Sequence, residues 1–185
     1  MAGRLVVLDR DGVINRDSPE FVKSPDEWIP LEGSLEAIAL LTRSGYAVAV
    51  ASNQSGLARG LFDTATLGAI HDKMRDAAAG AGGRIDRVVF CPHGPDAGCE
   101  CRKPAPGLLL RLGRRYGIDL RGVPCIGDSE RDLVAARSVG ARPILVRSGN
   151  GRRTEALLRD RGEDVEVYDD LLAASRQLAS EVGPA

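Results

Sequence analysis

Short apolar runs alternate with amphipathic stretches along this chain. Leu5–Leu8 (LVVL), Ala47–Ala51 (AVAVA), Arg87–Phe90, Val123–Ile126 and Pro143–Val146 are four or five residues long and rich in apolar or β-branched side chains. Runs of that kind predict strands buried on both faces. Val165–Val167 predicts a last edge strand. The stretches between them carry helical spacing and helix punctuation. Ser34 is placed to cap a helix over Leu35–Ser44, and Gly45 to stop it. Asp63 is placed to cap Thr64–Ala79, where Leu67, Ile70 and Met74 share one face. Pro106–Tyr116 opens on proline, which the first helical turn tolerates, and carries Leu108, Leu109 and Leu112. Glu130–Val139 ends at Gly140. Thr154–Arg161 and a terminal stretch near Leu171–Ala179 complete the helices. Gly183–Ala185 is expected to be loose.

Strand and helix in alternation predict an α/β chain, a three-layer Rossmann-like fold with a mostly parallel central sheet. The 185 residues suit a single domain, 1–185. About 25 residues separate the first strand from the first helix, and one loop and one helix separate strands two and three. Neither segment is long enough for a second, capping domain. The chain is 43% hydrophobic and 28% charged, with 25 basic against 26 acidic residues. That balance gives no reason to expect a nucleic-acid or membrane-surface partner. No apolar run approaches the roughly 20 residues of a membrane span, and Met1–Leu8 lacks the long apolar core of a secretion signal. The expectation is a cytoplasmic monomer acting on a small molecule.

In open α/β sheets, ligands bind at the carboxyl ends of the strands. The first strand is followed by Asp9-Arg10-Asp11-Gly12-Val13, and the second by Ser52-Asn53-Gln54-Ser55-Gly56. Arg102-Lys103-Pro104 follows a cysteine-rich loop, and Gly127-Asp128-Ser129-Glu130-Arg131-Asp132 follows the fourth strand. Each segment alone has a plain reading: a turn, a helix cap, a solvated lysine. Together they bring Asp9, Asp11, Ser52, Lys103 and Asp128 to one edge. Carboxylates held that close repel unless a hard cation such as Mg²⁺ neutralises them. The cation also admits a phosphate, which Asp9 could attack to form an aspartyl-phosphate. Asp11 could protonate the leaving alkoxide and later deprotonate water. The Ser52 hydroxyl, the Asn53 N–H and Lys103 could hold the phosphoryl oxygens.

The four cysteines are Cys91, Cys99, Cys101 and Cys125. The first three lie within eleven residues, with His93 among them. Three thiolates and an imidazole make a closed tetrahedral Zn²⁺ site, with no position left open for chemistry. The loop holds Pro92, Gly94, Pro95 and Gly98 and has little apolar content, so metal binding could order it. Free thiols or a disulfide are the alternatives, although Cys99 and Cys101 are poorly spaced to bridge each other. A structural zinc would steady the loop that carries Arg102 and Lys103. Cys125 and His71 read as packing residues.

The four segments, in this order, resemble the motifs of the haloacid dehalogenase-like phosphatase superfamily: DRDGV (9–13), Ser52 in ASNQSG (51–56), Lys103 in CRKP (101–104) and GDSERD (127–132). The resemblance covers nearly the whole chain. It implies Asp9 as nucleophile and Asp11 as general acid/base. It implies Mg²⁺ on Asp9, the Asp11 carbonyl and Asp128, with Asp132 in an outer role. The zinc loop with NQSGLARG (53–60) is similar to the branch acting on heptose bisphosphates in lipopolysaccharide or GDP-heptose synthesis. Histidinol-phosphate phosphatases are the related alternative. For the sugar bisphosphate, Arg59 and Arg102 offer a fork for a second phosphate. Asn53, Gln54 and Ser55, together with Asp17, Ser18 and Glu20, fall where the family meets its substrate. Two departures stand out: Pro19 in SPEF (18–21) replaces a glycine-containing turn, and Ser129 occupies a position the family often gives to lysine.

Overall fold

The computed structural model describes residues 4–182, so the expectation for Gly183–Ala185 lies outside the described residues. The strands are β1 (Arg4–Leu8), β2 (Tyr46–Asn53), β3 (Arg87–Cys91), β4 (Pro124–Gly127), β5 (Arg142–Val146) and β6 (Glu166–Tyr168). The helices are α1 (Ser34–Arg43), α2 (Thr64–Gly80), α3 (Gly107–Tyr116), α4 (Glu130–Ser138), α5 (Gly151–Asp160) and α6 (Leu171–Val182). All strand pairs are parallel, in the order β3-β2-β1-β4-β5-β6.

The alternation of side chains along β1 and β2 sorts the core into two layers. Val6, Leu8, Val48 and Val50 pack with Ile38 and Leu41 of α1, Ile70 and Met74 of α2, and Leu171 and Leu178 of α6. Leu5, Val7, Ala49 and Ala51 pack with Leu108, Leu109 and Leu112 of α3 and Ala135 and Ala136 of α4. A smaller cluster joins Leu145 of β5 to Leu133 and to Leu158 of α5. The sheet is therefore covered on both faces, as expected. Cys125 is a buried core thiol, and His71 is buried with its ring centroid 5.9 Å from that of Phe90.

The segment between β1 and α1 is irregular but not loose. Val13, Ile14, Val22 and Trp28 sink into the core and hold it down. One cap differs from the sequence reading. Ser34 is the first helical residue of α1, buried and without a side-chain partner. The cap position falls to Gly33, whose φ of 73° suits glycine better than serine. Asp63 does cap α2, accepting from Thr66 N at 2.7 Å.

The chain leaves β1 toward β2 and β3, then returns to β4 on the other side of β1. This reversal makes the β1/β4 border the switch point of the sheet, where a crevice is expected. The Asp9 N–H donates to the Ile126 carbonyl at 2.9 Å, so the two strand ends run out together.

Candidate active site

The strand ends open on a cavity of about 140 Å³, lined by residues of all four segments. Asp9 and Asp128 stand at the ends of the adjoining strands β1 and β4. The Gly12 backbone packs directly against Asp128: a Cβ on Gly12, where φ is 80°, would strike the Asp128 carboxylate. Asp128 is held from the other side by Asn150, whose N–H donates to Oδ2 at 2.7 Å and whose Nδ2 donates at 3.1 Å. Thr154 Oγ1, in the first turn of α5, donates to the Asp128 carbonyl at 2.9 Å.

Lys103 is buried at the centre. Its ammonium lies 3.0 Å from Asp9 Oδ1 and 2.5 Å from Asp132 Oδ1, and donates to the Ala51 carbonyl at 2.7 Å. Burial disfavours its charge, but Asp132 and Asp9 outweigh burial and raise its pKa. Asp132 Oδ2 accepts from Ser129 N (3.1 Å) and Oγ (2.5 Å), closing a capping box on α4. The Asn53 side chain is spent on the backbone of Lys103, donating to its carbonyl and accepting from its N–H, both at 3.0 Å. The Asn53 side chain thus secures the lysine, while the residue whose backbone N–H is expected at the phosphate still lines the cavity. Ser52 falls within β2, because the strand runs two residues further than its apolar core. Its Oγ is buried and accepts from Gln54 Nε2 at 2.7 Å.

Asp9 lines the cavity, and its protein contacts fall on one oxygen. Oδ1 accepts from Arg10 N at 2.7 Å and meets Lys103, whereas Oδ2 has no partner among the described residues. Burial pushes the Asp9 carboxyl up to about 8; Lys103 opposes this, and Asp132, Asp128 and Asp11 add to it. Burial likewise pushes Asp128 up to about 6, against the hydrogen bond from Asn150. Carboxylates driven toward neutrality by burial, and further by neighbouring carboxylates, are a donor set for a hard cation. Asp9, Asp128 and Asp132 place oxygens within 4.8 Å of one another. Since Lys103 and Ser129 take both oxygens of Asp132, Asp9 and Asp128 fit Mg²⁺ better. No described residue donates to the Asp11 carbonyl, which leaves it available as the third donor.

The second metal site lies at the end of β3. Cys91, Cys99 and Cys101 place Sγ atoms 3.1–3.7 Å apart, with His93 Nδ1 3.5 Å from Cys91 and 3.3 Å from Cys101. A tetrahedron of Zn–S bonds of about 2.3 Å spans sulfurs about 3.8 Å apart, so the cluster is close to that geometry. All four cysteines of the chain are free thiols, against the disulfide alternative. Burial pushes Cys91 up to about 12, so a full set of thiolates here needs a cation. Arg102 Nη1 donates to the His93 carbonyl at 3.2 Å, which couples the cysteine loop to the cavity wall.

Comparison with known proteins agrees with this geometry. The pattern of the HAD-hydrolase-like family matches residues 100–174. The chain is 58% identical over 180 residues to the D-glycero-beta-D-manno-heptose-1,7-bisphosphate 7-phosphatase of Bordetella bronchiseptica, covering 96% of this chain and 99% of that one. It is 51% identical over 178 residues to the Pseudomonas aeruginosa protein of the same name, with the same coverage. The crystal structure of D,D-heptose 1,7-bisphosphate phosphatase from B. bronchiseptica, complexed with magnesium and phosphate, matches with a TM-score of 0.92 over 96% of this chain and 99% of that chain. The chain belongs to the haloacid dehalogenase-like hydrolase family.

Of the site residues that the family resemblance marks, Asp9, Asp11, Asp17, Ser18, Ser52, Asn53, Gln54, Ser55, Arg102, Lys103 and Asp128 all line the one cavity. Arg59 stands outside its lining, exposed, with its guanidinium 5.7 Å from the centroid of the Phe21 ring. Glu20 also lies outside. Where Pro19 departs from the family's glycine turn, the left-handed position passes to Phe21, at φ 67°, and its ring joins the cavity wall. Arg10, Arg131 and Asn150 line the cavity without having been singled out by the sequence. Arg131 sits in the same GDSERD segment as Asp128, so its family motif was the available signal. Asn150 follows β5, a strand end whose residues carried no motif.

Proposed function

We propose that this hydrolase removes the C7 phosphate from D-glycero-β-D-manno-heptose 1,7-bisphosphate through an aspartyl-phosphate. The observation that carries the reading is Asp9 Oδ2, without a partner among the described residues, in a cavity shared with Asp128, Ser52 and Lys103. Relatives at 58% and 51% identity that bear that activity in their names support the substrate.

In the first step Asp9 Oδ2 attacks phosphorus and the P–O bond to C7 breaks. Asp11 gives its proton to the departing alkoxide. In the second step a water oxygen attacks phosphorus, Asp11 takes the water's proton, and the P–O bond to Asp9 breaks. Asp9 is restored as a carboxylate and phosphate leaves. Ser52 and Lys103 hold the equatorial oxygens as charge shifts. Asp9, Asp128 and the Asp11 carbonyl would hold magnesium, which when bound would supply the positive charge that keeps the carboxylates ionised and favours the phosphate.

Arg102 and Arg131 provide for the second phosphate. Burial lowers the pKa of Arg102; the charge of Arg131 and, more weakly, that of Arg59 lower it further, while Cys91 and Cys99 oppose them. A C1 phosphate relieves the repulsion among the arginines. Asp17 and Ser18, beside Asn150, are placed for the sugar hydroxyls.

The same reading takes 1–185 as one domain without a cap, the 91–101 loop as its structural zinc site, and the chain as a cytoplasmic monomer. Four free thiols suit a reducing compartment. No described helix is long and apolar enough to cross a membrane. The test is phosphate release from the β anomer with Mg²⁺, expected at one equivalent per sugar with the C1 ester retained. Brisk release from histidinol phosphate and none from the bisphosphate would sink the substrate assignment.

A further inference from the structure

Arg10 is among the most buried side chains of the described protein, 1% exposed, yet it carries a full charge. Its side-chain hydrogen bonds all go to its neighbour Asp11: Nε to Oδ1 at 3.0 Å, Nη2 to Oδ1 at 2.9 Å and Nη2 to Oδ2 at 3.0 Å, while Nη1 has no partner among the described residues. Asn15 Nδ2 donates to Oδ1 at 2.9 Å, and Gln54 Nε2 donates to Oδ2 at 3.0 Å. The other proton of that Gln54 nitrogen goes to Ser52 Oγ. Five contacts leave the carboxylate no rotational freedom, and three of them come from one planar guanidinium. A buried charge is costly, and a surface aspartate needs no such partner. The arrangement has a use if the direction of the Asp11 carboxylate matters.

We propose that Arg10 is a positioning residue for Asp11. With Asn15 it fills Oδ1, and with Gln54 it fixes the direction of Oδ2, the less occupied oxygen, on the Ser52 side toward the phosphate ester. Gln54 ties that direction to the hydroxyl that holds the phosphate. The inference rests on the acid/base role given to Asp11 above.

The test measures kcat/KM for Arg10→Met, Asp11→Asn and the double variant on two esters. One is the alkyl phosphate that the wild type turns over; the other is p-nitrophenyl phosphate, whose leaving group needs no proton. kcat/KM here reports attack by Asp9 and departure of the leaving group, so Asp11's later work on water does not enter. Arg10→Met should lower the alkyl value roughly 100-fold or more, the usual worth of a general acid, and the aryl value only slightly. In the Asp11→Asn background the same substitution should change the alkyl value by a factor of about one. Equal losses on both esters, or losses that multiply in the double variant, would overturn the proposal. The double variant leaves neither charge unpaired. If Arg10→Met alone does not fold, its comparison with Asp11→Asn still decides. A wrong sugar shows as an inactive wild type rather than as an altered ratio between esters.

Discussion

Replacing Lys103 by methionine keeps most of the side-chain volume and removes one charge. Lys103 is 5% exposed, and its ammonium faces Asp9, Asp132 and the Ala51 carbonyl. Without it, two buried carboxylates confront each other and a carbonyl loses its donor. Breaking a buried ion pair from one side costs about 3–5 kcal/mol. For a chain of this length each kcal/mol moves Tm by about 2–4 °C, so the loss is roughly 6–20 °C. Thermal unfolding at neutral pH without added Mg²⁺ measures it. Adding Asp132→Asn removes one of the two carboxylates while preserving an oxygen for Ser129. That second change should recover part of the lost Tm in the Lys103→Met protein, yet destabilise the wild type. A fall of less than about 3 °C, below the smallest pair energy in that range, would refute Lys103 as the ion that holds the site together. So would an Asp132→Asn effect of the same sign and size in both backgrounds.

Zinc analysis should find about one ion per chain, by the four-ligand argument, and Cys101→Ser should lower both Tm and zinc content. Because Arg102 is held by the His93 carbonyl, the same variant should raise KM for the bisphosphate. Arg131→Ala should raise KM for the bisphosphate while leaving a sugar carrying only the C7 phosphate nearly unaffected, as competition kinetics would show. Acid stability reports on His71, which burial, then the charges of Arg10 and Arg75, push down from 6.5 to about 3. Below pH 6.5 the unfolded chain takes up a proton that the folded chain refuses until about pH 3. This group therefore removes stability as pH falls through that window. Between pH 7 and 4.5 the wild type should lose about 2 kcal/mol more than His71→Leu, measured by urea unfolding.

Much of the molecule is legible in its apolar runs. Each of the six strands appears where a short apolar stretch predicts one, and each helix shares most of its length with an amphipathic stretch. The sequence is informative there because a strand covered on both faces has to be apolar, whatever its partners. It is least informative about partners. The Asn53 amide points at Lys103, fifty residues away, and nothing local to NQSG indicates that. Arg10 looks like a surface arginine between two acids until the Asn15 turn and Gln54 close over it. Asn150 enters the site because α5 begins beside Asp128, a consequence of the β4/β5 pairing rather than of any motif. Ser34 fails as a cap because a left-handed Gly33 precedes it, and a serine at a helix start carries no mark of that backbone conformation.

The arrangement also bears on the nucleophile proposed above: among four aspartates at one strand edge, Asp9 is the one that keeps an oxygen open for attack on phosphorus. Asp132 is spent on Lys103 and on the cap of α4. Asp11 is spent on Arg10, Asn15 and Gln54. Asp128 gives one oxygen to Asn150 and is walled in by Gly12 and Gly149, which leaves it room to bind an ion but little to reach a substrate. Asp9 is held through Oδ1 alone, by its neighbour's N–H and by Lys103. A nucleophile needs an oxygen that is fixed in place and not itself hydrogen-bonded, and Asp9 Oδ2 meets both conditions. The burial that pushes its carboxyl up to about 8 also makes its reactivity conditional on a cation beside it. The role proposed for Asp9 thus follows from how the protein occupies the other three aspartates.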